Sequence, residues 1–540
     1  METHAGTRPE DGQSGRERPP RWLAALAGLA CAAAGLAVAE VVAGLNPRMR
    51  SPVLDVGDRV IDRVPTWLKD LAIEWFGTND KQALLAGIGA VLAVYACAVG
   101  VIGLRRSLAL GLAGVALFGV AGSVAALSAR TGTEWMTVLP SLVGAAVAGV
   151  VLVVFTRPPV RRPASDPMAM KPQSDQSIPR LQPALQPADR RRFLAGVGAL
   201  AAGAVVFAAL GRRLEARFSA ADSRASITLP PADRALRPVQ TGAQAPGAAS
   251  FFTSNADFYR IDTALSVPQV RAEDWELVVR GMVDRELRLS YDDVLRRAIV
   301  EQDITLTCVS NTVGGELIGN ARWLGIRLDD LLAEAGIEPA ANQVVGRSVD
   351  GYTCGFPVEA LDGRDALVAI GMNGEPLPLE HGFPARLVVP GIYGYASATK
   401  WLTEIELTTF DDFDHYWVSR GYAARAPIKL QSRIDRPRGL DRIPPGRFVV
   451  AGVAWEQTVG IDAVEVRIDD GRWRPAQLAA EVNDSTWRQW SYPWDATPGR
   501  HSISVRAIDQ NGAIQTDRRS EPLPDGATGH HTVVVLVDEA

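Results

Sequence analysis

Histidine is nearly missing from this chain of 540 residues: there are six, and none lies between Ala5 and Glu380. No haem is expected in the N-terminal half, because imidazole is the usual protein ligand to haem iron. Cysteine is equally sparse. Cys31, Cys97, Cys308 and Cys354 are too few and too widely spaced for a zinc module or a disulfide-built scaffold. Positive charge is not in excess either: 56 Lys and Arg stand against 61 Asp and Glu, a net charge of -5, so no nucleic-acid partner is expected. The apolar runs contain no cluster of ionisable residues, with Glu40 an isolated exception near an interface, and this disfavours an ion pathway or transporter subunit.

What the chain has is apolar length. Five stretches approach the roughly 20 residues that a helix needs to cross a membrane: Trp22–Leu45, Ala83–Leu104, Leu108–Leu127, Met136–Phe155 and Phe193–Leu210. Arg16, Arg18 and Arg21 precede the first, Arg105 and Arg106 separate the second from the third, and a basic segment, 157–192, follows the fourth. Alternating sides puts all of these basic segments in the cytoplasm and everything after about Arg212 outside. The run "DRRRFLAGVGALAAG" from Asp189 fits both a twin-arginine export pattern, through Arg190, Arg191, Phe193 and Leu194, and an ordinary positive-inside anchor. The two readings predict the same sidedness. Trp67, Leu68, Leu71, Ile73, Trp75 and Phe76 mix with charges as in an interfacial amphipathic helix.

After a Pro, Gly and Ala-rich linker, short strand-like runs alternate with helical ones such as "LDDLLAEAG", an α+β pattern extending to about Phe410. From there "RFVVAGVAWE", "IDAVEVRIDDG" and "HSISVRAIDQNG" alternate between turns, predicting an immunoglobulin-like β-sandwich without its disulfide. The expected organisation is a cytoplasmic tail 1–21, four transmembrane helices 22–156, a basic linker 157–192, a fifth transmembrane helix 193–211, a linker 212–249, a catalytic domain 250–410 and the sandwich 411–540.

Cys308 ends an alternating run, "DITLTC", and is followed by the polar, glycine-rich "VSNTVGG". Three readings stand open for it: a small buried hydrophobe, half of a disulfide with Cys354, or a thiolate ligand to a metal whose other ligands come from a cofactor.

In order along the chain, "TLTCVSNTVGG", "ARWLGIRLDDLL", "DGYTCGFPVEALD", "MNGEPLPLEHGFPARLVVPGIYGY" and "KWLTEIEL" resemble the sulfite oxidase family of molybdopterin enzymes. The resemblance covers about Phe251 to Leu407, and the sandwich resembles that family's dimerisation domain. It implies one molybdenum and one pyranopterin per chain, with Cys308 as the protein ligand to the metal. It further implies cofactor contacts from Asn255, Tyr259 and Arg260 in "SNADFYR", from Ser348, from His381 and Arg386 in "HGFPAR", and from Ala398, Thr399 and Lys400 in "ASATK". These residue types suit a phosphate: Arg offers paired hydrogen bonds and Lys a point charge. Tyr352 aligns with a tyrosine of the substrate pocket.

The chain departs from the family just after the cysteine, where Asn311, Thr312 and Val313 replace a pair of arginines, so a doubly negative substrate loses its strongest contacts. Arg322, or arginines of the outer loops, are the candidates to replace them. The expectation is a multi-pass protein of the cytoplasmic membrane, with an outward-facing oxidoreductase domain acting on a small S- or N-oxyanion or oxide. Its electrons would pass to or from a separate carrier, a cytochrome or the quinone pathway, and it would form a homodimer through the sandwich. The competing class is a membrane-anchored sensor or interaction module whose molybdopterin fold has degenerated.

Overall fold

The computed structural model describes residues 19–64, 75, 80–130, 134–156 and 187–539. It divides into two units, Met1–Phe218 and Ser219–Ala540.

The first unit is helical. Among the described residues five helices are long and apolar enough to cross a membrane: α1 Arg21–Ala43, α3 Asp80–Arg105, α4 Leu108–Leu127, α5 Leu139–Thr156 and α6 Pro187–Ala216. Small residues let their backbones approach closely. A Cβ added to Gly28 of α1 would lie 2.0 Å from the Ala96 carbonyl oxygen of α3, and one on Gly35 would lie 2.6 Å from the Gly144 carbonyl oxygen of α5. A shorter helix, α2 Pro52–Arg63, is capped by Ser51, whose side chain accepts from the Val53 N–H. The Ser51 hydroxyl also donates to Glu40, giving the one acidic group of α1 a polar partner. The aromatic stretch expected to lie at the interface falls outside the described residues except for Trp75, which is exposed. The basic linker 157–186 also falls outside them, while the twin-arginine-like run lies within α6.

The second unit begins with two sheets. One has the order β2-β1-β10-β5-β6, formed by Leu287–Ser290, Glu276–Gly281, Leu402–Thr408, Gln343–Ser348 and Thr353–Pro357. The other runs β3-β4-β7-β8, formed by Val300–Thr307, Ile318–Arg327, Leu367–Met372 and Glu375–Pro376, with β9 Arg386–Val388 paired to β7. The helix α7 Leu328–Ala335 buries Leu328, Leu331, Leu332 and Ala335 against them, matching the apolar spacing of "LDDLLAEA".

Two further sheets form the C-terminal part, β11-β13-β17-β16 and β12-β19-β18-β14-β15. Their strands are β11 Gln431–Arg436, β12 Arg442–Ile443, β13 Gly446–Trp455, β14 Ile461–Ile468, β15 Arg474–Pro475, β16 Gln477–Leu478, β17 Arg488–Ala496, β18 Gly499–Asp509 and β19 His531–Val537. Val450, Trp490 and Val464, Val505, Val535 from the two sheets share one core, as expected for sheets packed face to face. The first sandwich strand starts at Gln431, later than the expected boundary at residue 411. The intervening segment stays on the α+β part, because Tyr416, Trp417 and Tyr422 pack among Tyr352 and Tyr395.

Candidate active site

The site is a cleft enclosing about 770 Å³ in the α+β part, part of it open to solvent. Cys308 reaches it from the end of β3. Its N–H donates to the Leu317 carbonyl at 2.9 Å and its carbonyl accepts from Asn311 N–H at 3.0 Å, so the chain turns at once after the strand. Burial raises the Cys308 thiol pKa, and hydrogen bonds from Ser310 oppose that in part. Both Cys308 and Cys354 are free thiols, so no disulfide joins them. Cys354 is fully buried, does not line the cleft and accepts from Thr399 Oγ1 at 2.7 Å.

One end of the cleft is cationic. Arg386, 5% exposed, leaves β9 and donates from Nη1 to the His381 carbonyl at 3.1 Å, with its guanidinium 5.1 Å above the Trp323 ring. No carboxylate among the described residues lies within ion-pair distance of it. Burial pushes its pKa down to about 10. Lys400 Nζ donates to Asp262 at 2.7 Å and to the Glu380 carbonyl at 3.1 Å, and burial pushes its pKa down to about 8. Arg260 shares that carboxylate at 2.9 Å. Three positive charges gather here: Arg260 and Lys400 both pair with Asp262, while Arg386 donates to backbone carbonyls. His381 adds none: its Nε2 faces the Asn255 carbonyl at 3.0 Å, its ring meets Phe258 edge-on, and burial pushes its pKa down to about 4. Gly382, at φ +108°, lets the chain pass beside Lys400, where a Cβ would lie 3.0 Å from the Lys400 Cα.

Of the residues picked from sequence, Cys308, Tyr259, Ser348, Tyr352, His381, Arg386, Ala398 and Lys400 line the cleft together. Tyr352 Oη donates to the Tyr395 carbonyl at 2.7 Å, and burial raises its pKa well above the usual tyrosine value. Four residues do not line it. Arg322 lies opposite Asp303 in the β3–β4 register and donates to that buried carboxylate from Nε at 2.8 Å and Nη2 at 2.9 Å, so it is not positioned to replace the missing arginines. The Asn255 carboxamide donates to the Met372 carbonyl and Glu375 and accepts from Asn373, leaving only its backbone oxygen toward His381. The Thr399 hydroxyl turns to Cys354, and Arg260 reaches the cleft only through Asp262. Asn311, at one of the departing positions, accepts from the Leu317 N–H and closes the loop after Cys308.

Sequence reasoning missed Trp417, Trp401, Tyr395 and Asp350, which also line the cleft. Trp401 takes φ +51°, an unusual conformation for a bulky residue, and anchors its indole N–H on the Leu379 carbonyl at 2.8 Å. The aromatic density of "DHYWVSRGY" after the last strand of the α+β part is the signal that could have found Trp417.

The cleft thus brings a buried thiol, Cys308, together with two buried cations, Arg386 and Lys400. The family profile "Oxidoreductase molybdopterin binding domain" matches residues 264–417. Human mitochondrial sulfite oxidase is 29% identical over 318 residues, covering 50% of this chain and 58% of the relative. The uncharacterized oxidoreductase YuiH of Bacillus subtilis (strain 168) is 35% identical over 151 residues, 28% of this chain and 73% of the relative. The crystal structure of the sulfane dehydrogenase SoxCD from Paracoccus pantotrophus is 23% identical with a TM-score of 0.48, covering 54% of this chain and 85% of that one. The chain belongs to the sulfite oxidase-like family of molybdopterin oxidoreductases. It spans 58% of the length of the human sulfite oxidase it matches.

Proposed function

We propose that this protein is a membrane-anchored, extracytoplasmic oxidoreductase that transfers two electrons or an oxygen atom at a molybdenum held by Cys308. The observation that carries this reading is Arg386, which lies buried with no carboxylate within ion-pair distance among the described residues, in a cleft that also holds a buried cysteine. Burying an uncompensated charge is costly, and a phosphate-bearing ligand removes the cost. The donor set fits one molybdopterin: Cys308 would supply sulfur, Arg386 and Lys400 would hold the phosphate, and Tyr259, Ser348 and Ala398, which line the same cleft, would wall the pterin.

When bound, the molybdenum cofactor supplies the redox and oxygen-transfer chemistry. Cys308 must lose a proton to ligate, and because burial raises its pKa, that proton is released on loading. His381 stays neutral beside Arg386 and Lys400, so it offers hydrogen bonding without adding to their repulsion. Tyr352 would offer its hydroxyl to the substrate oxygen by exchanging its present acceptor, the Tyr395 carbonyl. The substrate in this reading is a small S- or N-oxyanion or oxide, and a separate cytochrome or quinone-linked carrier handles the electrons. In this reading residues 22–156 and 193–211 form the anchor, about 250–430 the catalytic domain, since Tyr416 and Trp417 pack on the cleft, and the sheets from Gln431 onward an immunoglobulin-like domain that dimerises.

Protein from a host that makes the cofactor should carry about one molybdenum per chain. Cys308→Ser should lose both metal and turnover while keeping its melting temperature as apoprotein. Metal-free wild-type protein from such a host would refute the reading.

A further inference from the structure

The helical unit encloses a second cavity, of about 660 Å³, part of it open to the outside of the bundle. Residues of α1, α3, α4 and α5 line it, together with Pro52 at the start of α2. Among the described residues its lining carries no charged side chain and is mostly Gly, Ala, Val and Leu. Two aromatic residues contribute, Tyr95 of α3 and Phe118 of α4. The Tyr95 hydroxyl is already engaged, since it donates to the Gly114 carbonyl at 2.8 Å.

One polar group of the lining stands free. Ser141, the third residue of α5, is 6% exposed, and its hydroxyl makes no hydrogen bond among the described residues. A helical serine commonly turns its hydroxyl back to the carbonyl four residues earlier, as Ser123 of α4 does to Gly119 at 2.8 Å. Ser141 makes no such bond. Gly122 of α4 leaves room for it, because a Cβ there would lie 2.5 Å from the Ser141 Oγ. An unpaired hydroxyl is costly to bury, above all where no water can reach it, and a ligand with an acceptor oxygen removes that cost.

The position of this hydroxyl narrows the ligand. Ala39, Pro52, Pro140 and Ser141 belong to the end of the cavity that the flanking arginines make extracytoplasmic in the proposed topology, and the lining continues inward to Gly28 and Leu152. A flat, neutral, carbonyl-bearing ring with a hydrocarbon tail suits each part of it: the carbonyl for Ser141, the ring for Tyr95 and Phe118, the tail for the Gly and Ala stretch. A phospholipid suits it less, because its phosphate would meet no counter-charge in the lining. We propose that this cavity binds a lipid-soluble quinone, with the Ser141 hydroxyl donating to one quinone carbonyl. The choice of a quinone among neutral carbonyl-bearing lipids rests on the oxidoreductase reading above, which calls for a two-electron carrier.

The test uses the full-length holoprotein in phosphatidylcholine nanodiscs, with molybdenum content measured separately. A photoreactive azidoquinone is the probe, decylubiquinone the competitor, and the labelled peptides are mapped by mass spectrometry. Labelling should fall on the cavity-lining parts of α1, α3, α4 and α5, and decylubiquinone should displace it even though phosphatidylcholine is present in large excess. Ser141→Ala should weaken decylubiquinone binding about fivefold, the size of one neutral hydrogen bond, without lowering the melting temperature, since no protein partner is lost. Ala32→Phe, which fills the cavity with a ring, should abolish displaceable labelling. Labelling of molybdenum-loaded protein that decylubiquinone does not displace, as when bulk lipid fills the cavity, or that maps elsewhere, overturns this inference alone. Unchanged affinity in Ser141→Ala overturns it too. Displaceable labelling at the cavity in protein that never holds molybdenum upholds the binding site and removes the molybdenum reading instead.

Discussion

Replacing Arg386 by methionine should leave the stability of the apoprotein nearly unchanged while weakening cofactor retention. Among the described residues no carboxylate lies within ion-pair distance of the buried guanidinium, and burial lowers its pKa from 12.5 to about 10. At 1.36 kcal/mol per unit, that shift corresponds to about 3 kcal/mol of penalty carried by the charged form in the fold. Methionine removes the penalty and gives up the charge-assisted hydrogen bond to the His381 carbonyl, worth about 1.5–3 kcal/mol, and the contact over Trp323, worth about 1 kcal/mol more. The terms nearly cancel, so apoprotein should melt close to the wild-type temperature, consistent with buried ions whose hydrophobic replacements are often neutral. In the loaded protein the variant loses charge-assisted hydrogen bonds to the phosphate, worth about 1.5–3 kcal/mol, so cofactor retention should fall about 10- to 100-fold. The assay pairs thermal melts of protein from cofactor-deficient and cofactor-competent hosts with molybdenum content after dialysis. An apoprotein destabilised by several kcal/mol that still retains its molybdenum would show Arg386 to be a structural residue and refute the electrostatic argument.

Three buried imidazoles, His381, His415 and His531, each have a pKa pushed down to about 4, first by burial. The unfolded chain takes up their protons below about pH 6.5 and the folded chain only near 4, so stability should fall as pH drops through that window, by up to about 3 kcal/mol per residue. His415→Phe should flatten the loss by about a third in acid-titrated melts. Gly28→Leu would push side-chain atoms into the Ala96 carbonyl and should separate α1 from α3, read as lost protease resistance in detergent. Cys354→Ala should cost about 1–2 kcal/mol through its lost packing and its contact with Thr399, yet leave molybdenum content unchanged. A molybdenum-free Cys354→Ala protein would mean that Cys354 is also needed to hold the metal.

The apolar spans and the end of β3 could be read from sequence because each is a local pattern: run length for the helices, and alternation followed by glycine for the strand. His381, Arg386 and Lys400 were legible as a motif, although periodicity could not bring them beside Cys308. Which face a residue takes was less accessible. Arg322 is near Cys308 in sequence, but the antiparallel register sets it against Asp303, and no local signal fixes that pairing. Asn255 belongs to the right segment, while its side chain is drawn away by Asn373 and Glu375, more than a hundred residues on. Trp417 escaped for a similar reason, since the change to sandwich-like alternation suggested a boundary before it rather than after it.

The position of Cys308 depends on more than the α+β part. β3 is the edge strand of its sheet, and loops of the sandwich take up its free backbone groups. Thr305 N–H donates to the Ser485 carbonyl at 3.0 Å, Thr305 Oγ1 accepts from the Trp487 N–H at 2.8 Å, and the Thr305 carbonyl accepts from Gln457 at 3.0 Å. Three residues later comes Cys308. The loop beyond it is held from the same side: Arg433 donates to the Gly315 carbonyl at 2.8 Å, and His531 packs so closely on Gly314 that a Cβ there would lie 2.3 Å from the ring. Both flanks of the thiol are thus tied to sandwich residues through hydrogen bonds and contacts that the α+β part cannot supply. In the role proposed for it, Cys308 would have to be fixed to within a fraction of an ångström. The sandwich therefore acts on the site as a clamp on the cysteine loop, and a change in its inner loops reaches the cleft through Thr305 and Gly314 rather than through any residue that lines it.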